Sequence, residues 1–346
     1  MPFSMNNSVT ISQAQSQKLG HCLEQLQPKT EDFLDPRLFP SQKYDPADVA
    51  NFFFFVTGID HRTSPPNQSF EGTVEGNYFQ GADLLWHLSL RKFKENPQFF
   101  HPSSMAQITT TTVRDWYTVM SPKRVTIRAP QERAALLRNC AKLLLENYAG
   151  SVLFLLEHAK NRVTLDPETN RAGLLQLLTQ FKAYQDPAHK KSYLLIKFLL
   201  RRDLWSVIDL DLVRIPVDNH LTRIALRVGI VSVSPDLAHH LRIQKPVSSD
   251  TDVIIRSTIA DAYSLVGQYA KRSVLELDDF FWHFGRQCCL TVNPICVTGC
   301  TMDCFVVEQL LAVSCQGTCP LTDVCPASTD DMQRALIEPK LKTWYY

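Results

Sequence analysis

The sequence predicts a mostly α-helical fold, with a small β element in its first third and a metal-cluster loop near its C-terminus. Three observations carry this. Apolar residues recur at threes and fours through most of the chain beyond residue 78. The text between residues 40 and 70 is instead aromatic and turn-rich. Eight of the ten cysteines crowd between Cys288 and Cys325.

Taken in order, residues 1–40 read as a polar lead with room for one short helix. Residues 41–130 form the region expected to carry a substrate pocket. Within it, 51–56 reads as a buried strand or helix turn and 63–68 as a loop. Residues 78–94 place Phe79, Ala82, Leu85, Trp86, Leu88 and Leu90 at helical spacing. A helical core is expected over 131–287. There 131–149 repeats Leu and Ala, with Glu132 near its start and Gly150 just past its end. Segments 153–158, 172–183, 192–204, 219–228, 252–271 and 277–286 read the same way. Pro216 suits the first turn of a helix and Gly229 its end. The cysteine loop occupies 288–326, and 327–346 is a tail expected to pack on the core.

Charge bounds the partners. Lys+Arg 36 against Asp+Glu 35 leaves a formal charge of +1 over 346 residues, whereas a duplex-binding surface usually shows as a basic excess. The run Lys190, Lys191, Lys197, Arg201 and Arg202 reads first as a solvated helix face. The N-terminus lacks a charged start followed by an apolar stretch, and no apolar run is long enough to span a bilayer. A cytoplasmic chain without a membrane partner is expected. A disulfide framework would spread its cysteines, so dense clustering in a chain of this size points to a metal or cluster site.

The sharpest chemical signal is the segment Arg214-Ile-Pro-Val-Asp-Asn-His-Leu-Thr-Arg-Ile-Ala-Leu-Arg-Val-Gly229. It puts Asp218 at the N-cap of the following helix, where a carboxylate accepts backbone N–H bonds at the positive end of the helix dipole. Most such aspartates are only caps. The flanking pattern, however, resembles the catalytic segment of the helix-hairpin-helix DNA glycosylase superfamily. That resemblance implies a DNA-glycosylase-like helical fold and a catalytic role for Asp218, a fixed negative charge where the sugar becomes positive. Phe281-Trp-His-Phe-Gly-Arg-Gln-Cys-Cys289 and Cys319-Pro-Leu-Thr-Asp-Val-Cys-Pro326 are similar to the start and end of that superfamily's iron–sulfur loop. The implied ligands of a 4Fe-4S cluster are Cys289, Cys315, Cys319 and Cys325, with Cys296 as the substitute for Cys315. Zinc on four cysteines is the alternative.

One part of that pattern is missing. The superfamily grips a DNA phosphate with a glycine hairpin some twenty residues before its Asp, whereas residues 180–192 here contain no glycine. The order of other blocks resembles the queuosine salvage proteins instead. Ala50-Asn-Phe-Phe-Phe-Phe-Val-Thr-Gly-Ile-Asp60, Gly76-Asn-Tyr-Phe-Gln-Gly-Ala-Asp-Leu-Leu-Trp86, Phe181-Lys-Ala-Tyr-Gln-Asp186 and the closing Trp344-Tyr-Tyr346 carry this likeness. It implies hydrolysis of a modified nucleoside 5′-phosphate, with Asp218 essential and Asp60 near the base pocket. His61, Phe55, Tyr78 and Lys191 complete the candidate substrate-binding set. His220 is expected to support Asp218, and the Asp278–Asp279 pair to cap a helix. The salvage pattern lacks the cysteine loop. A monofunctional DNA glycosylase acting on single-stranded or damaged DNA therefore stands as the alternative, with a non-enzymatic nucleic-acid-binding protein as a third reading.

Overall fold

The four phenylalanines Phe52 to Phe55 lie in a helix, not a strand. In the computed structural model, which describes residues 8–29, 35–63, 68–300, 304–311 and 316–346, they form the middle of the helix Pro46–Ile59. Asp45 caps this helix, accepting from the Ala47 N–H at 2.8 Å, and Pro46 fills its first position. Every residue from Val49 onward is buried, as expected of a helix that is apolar on all faces.

The chain divides into two compact units, Asp32–Val213 with Thr343–Tyr346, and Met1–Glu31 with Arg214–Lys342. In the first, Pro46–Ile59 is surrounded by Ala82–Glu95, Pro130–Asn147 and Lys190–Arg201. Its rings interlock edge-on and stacked: Phe52 meets Trp86, Phe93 and Phe100, while Phe53 stacks on Phe198 at 5.0 Å. Burying one such ring stabilises by about 1.5–3 kcal/mol, which makes this cluster the unit's main cohesive element. Two antiparallel hairpins border it, Glu71–Val74 with Asn77–Gln80 and Thr118–Val119 with Val125–Thr126. The expected helix over 78–94 thus begins only at Ala82, because Asn77–Gln80 is drawn into the first hairpin. The expected helix over 172–183 is also interrupted. It divides into Leu174–Leu178 and a turn at Lys182–Tyr184, with Phe181 extended between them.

The basic run turns inward, contrary to the solvated face expected. Lys190, Lys191, Lys197 and Arg202 are all buried. For Lys191 the reason is an acceptor: its Nζ donates to the Gly58 carbonyl at 2.6 Å.

The second unit pairs strand Val9–Ile11 with Val231–Val233, antiparallel and in register Val9↔Val233. Helix Gln13–Leu26, part of the supposed polar lead, packs along the 22-residue helix Ser249–Ala270. Helix Asn219–Val228 packs on Val274–Gln287. Pro216 lies in the extended approach to Asn219–Val228 and not in its first turn. Asp278 and Asp279 do not cap a helix. Ser273 caps Val274–Gln287 through a reciprocal pair with Glu276, which leaves the two aspartates buried in mid-helix. No helix among the described residues is long and apolar enough to cross a membrane.

Candidate active site around Asp218

Asp218 is the N-cap of Asn219–Val228. Its backbone is extended (φ −113°, ψ −167°), and its Oδ1 accepts from the His220 and Leu221 N–H groups at 2.8 and 3.0 Å. Two of the helix's four unpaired donors are thereby satisfied by one oxygen. Oδ2 accepts no hydrogen bond among the described residues, and the side chain is half-buried. A carboxylate so held cannot swing away, since moving it would unmake the cap. Gly229 ends the helix in the left-handed region (φ 81°), a conformation that favours glycine.

The rest of this helix secures the carboxylate from behind. Leu221, Ile224, Ala225 and Val228 are buried, and so are Arg223 and Arg227 one turn apart. Arg223 donates to the Cys289 carbonyl at 2.7 Å, the Gly285 carbonyl at 2.8 Å and the Glu338 carboxylate at 2.8 Å. Its Nη2 also donates to His220 Nδ1 at 3.0 Å. Burial holds the His220 imidazole below its ordinary range, with the Asp218 charge acting the other way. His220 is therefore neutral near pH 7, and an acceptor at Nδ1 leaves its proton on Nε2. Tyr263 donates its hydroxyl to the Leu221 carbonyl at 3.2 Å, and burial raises its phenol well above the usual range. The sequence by itself does not mark Arg223, Arg227, Glu338, Tyr263 or Gly285 as site residues. The two arginines, four apart on an otherwise apolar helix, were the signal available in sequence.

The cysteines converge on the far end of the same helix. Cys289, Cys296, Cys319 and Cys325 line one cavity of about 20 Å³, together with Arg227, Val228, Phe284 and Leu321. Cys288 faces it too, and its thiol pairs with that of Cys304. Burial and the neighbouring thiols push Cys319 up to about 12 and Cys325 up to about 11. Among the described residues no group of three or more cysteine, histidine or acidic side chains is set to hold a single metal ion. Cys315 lies outside the described residues.

The remaining candidates belong to the other unit. Asp60, His61 and Lys191 come together there as a buried polar cluster. Trp86 Nε1 donates to Asp60 Oδ2 at 3.2 Å, and Lys191 Nζ reaches His61 Nδ1 at 3.2 Å. Arg133, fully buried and not anticipated, donates to the Ile59 and His61 carbonyls at 2.5 and 2.7 Å. Burial lowers this guanidinium to about 10, and burial plus surrounding cations hold His61 and Lys191 well below their ordinary ranges. A neutral His61 then donates from Nε2 to Glu132 at 3.1 Å, a hydrogen bond and not an ion pair. Phe55 and Tyr78 do not join this cluster. Phe55 is wholly buried in the aromatic core, while Tyr78 is 60% exposed on its hairpin and bonded to Glu71 at 2.7 Å.

A family model described as queuosine salvage protein matches residues 42–295, well over half of the chain, in a span that includes Asp60, His61, Lys191 and Asp218. The chain belongs to the queuosine salvage protein family. It is also similar to a protein of Dictyostelium discoideum described as queuosine 5′-phosphate N-glycosylase/hydrolase, at 21% identity over 297 residues. The match covers 76% of this chain and 87% of that relative. The family span ends at Ile295, immediately before Cys296. The Asp218 helix therefore lies within the matched span, and the cysteines from Cys296 onward lie beyond it.

Proposed function

We propose that this chain hydrolyses the N-glycosidic bond of a modified nucleoside 5′-phosphate of the queuosine type, with Asp218 as the central carboxylate. The observation that carries this reading is the division of labour within Asp218 in a chain of this family. Oδ1 is bound to the helix N-terminus and Oδ2 is left over.

Breaking a C1′–N bond builds positive charge on the sugar. A carboxylate already fixed in place stabilises that charge without reorganising, and its second oxygen can orient the attacking water. Water adds to C1′, the C1′–N pair of electrons leaves with the base, and the proton lost by water balances the one the base gains. The products are the free base and ribose 5-phosphate. Neutral His220, its Nδ1 occupied by Arg223, keeps its Nε2–H as a donor beside Asp218.

Incubating the purified chain with queuosine 5′-phosphate, and separately with lesion-bearing DNA duplexes, tests this directly. Free base is expected from the nucleotide. Release from the duplexes alone would favour a DNA glycosylase, a reading that the net charge of +1 opposes.

A further inference from the structure

Five thiols line the cavity at the end of the Asp218 helix; besides Cys288, whose thiol pairs with Cys304, four come from three separate segments of the chain. Cys289 follows the helix Val274–Gln287, Cys296 sits in the short helix Ile295–Thr298, and Cys319 and Cys325 lie further along the chain. We propose that Cys289, Cys296, Cys319 and Cys325 hold a four-iron–four-sulfur cluster in this cavity, a centre independent of the proposed hydrolysis.

The lining fits such an occupant. Apart from the thiols it is mainly apolar, with Val228, Phe284, Pro294 and Leu321, and it contains no carboxylate or imidazole. Hard cations need oxygen ligands, so this donor set selects soft metals held by thiolates. Arg227 supplies the counter-charge: its Nη1 donates to Cys289 Sγ at 3.5 Å. The guanidinium is fixed there by the carbonyls of Leu290, Thr291 and Leu336 at 2.6, 3.0 and 3.1 Å. A buried donor aimed at a ligand sulfur is one of the means by which a protein holds a negatively charged iron–sulfur centre.

The placement of the thiols separates a cluster from a single ion: among the described residues no three cysteine, histidine or acidic side chains are set to hold one metal ion. Zinc at about 2.3 Å from four sulfurs draws them into mutual contact and leaves no room between them. The cavity that the four thiols help to line has a free volume of about 20 Å³, so they do not close on one another. The centre would form by ligand exchange. A cluster already assembled on a thiolate carrier is taken up: as each S–Fe bond forms the carrier's bond to that iron breaks, the incoming thiol's proton passes to the departing thiolate, and no oxidation state changes.

The consequence for the fold is specific. Arg223 and Arg227 tie the Asp218 helix to Cys289, Leu290 and Thr291, so an occupied cavity would brace that helix from the side opposite its cap.

The test is to purify the full chain anaerobically and measure iron, acid-labile sulfide and zinc, with electron paramagnetic resonance after dithionite reduction. About four irons and four sulfides per chain are expected, with broad visible absorption. Metal-free protein, or stoichiometric zinc without sulfide, overturns the proposal. Cys296→Ser and Cys319→Ser should each lower iron content several-fold, whereas Cys315→Ser and Cys22→Ser should keep it. Loss of iron in Cys315→Ser with retention in Cys296→Ser overturns the ligand assignment. Because the wild-type analysis stands by itself, variants that fail to fold leave the test intact. Base release is not its readout.

Discussion

Gly285 and His220 are in direct van der Waals opposition: a Cβ at position 285 would stand 2.6 Å from the His220 Cβ and 3.2 Å from Ile224 Cδ1. The absence of a side chain at 285 is what lets the helix Val274–Gln287 approach the first turn of the Asp218 helix. The Gly285 carbonyl then accepts from Arg223, so close approach and hydrogen bond depend on each other.

Gly285→Ala should consequently push the two helices apart. Alanine is favoured over glycine in a helix by about 1 kcal/mol, but overpacking of this kind costs about 1–3 kcal/mol. A lower melting temperature is expected, together with slower base release, since His220 and the Asp218 cap move with the helix. Thermal unfolding and single-turnover kinetics on the same preparation check both. An unchanged or raised melting temperature would mean that the contact is relieved without cost.

Asp218→Asn separates the cap from the charge. Asn caps about as well as Asp, so the melting temperature should move little. The loss of a preorganised charged group should lower single-turnover base release by roughly a hundredfold to a thousandfold. Near-normal release from Asp218→Asn would remove the residue on which the functional reading rests.

Arg223→Met should be among the most destabilising single changes on the Asp218 helix. It strips the half-buried Glu338 of its partner and leaves the Cys289 and Gly285 carbonyls without their Arg223 donor. Leaving a buried acceptor unsatisfied costs about 1–3 kcal/mol. Urea unfolding should show a loss of that size, and the double variant Arg223→Met with Glu338→Leu should recover part of it.

Acidification should destabilise the fold before any carboxylate titrates. His61 and His220 are both held below their ordinary range by burial. As pH falls through about 6.5, the unfolded chain takes up protons that the native state refuses. Stability from this source is therefore complete above that pH and is lost below it, until the depressed native values are reached. Each such histidine contributes a slope of up to about 1.4 kcal/mol per pH unit. Denaturant unfolding at pH 7.5, 6.5 and 5.5 should show the decline, and His220→Gln should flatten it.

Much of the site was legible in the sequence because its determinants are local. An Asp after Pro-Val and before a run of apolar residues ending in Gly can hardly avoid capping a helix, and the structure has this cap and this stop. The helices over 131–149 and 252–271 were equally plain from their period, and they stand as Pro130–Asn147 and Ser249–Ala270. Family likeness was readable too, from the order of short blocks along the chain.

What the tertiary structure alone decided is which polar groups face inward. Lys190, Lys191 and Lys197 have the composition of a solvated face, and nothing in their spacing reveals a carbonyl such as that of Gly58 waiting within the fold. Arg133, which clasps the 59–61 backbone, comes from more than seventy residues away. Likewise the sequence groups Cys289, Cys319 and Cys325 and offers Cys296 only as the substitute for Cys315, whereas the folded chain puts Cys296 on one cavity with those three and pairs Cys288 with Cys304. Helix caps and periods are set by neighbours a few residues apart. The cost of burying a charge or a thiol is set by partners that only the folded chain brings within reach.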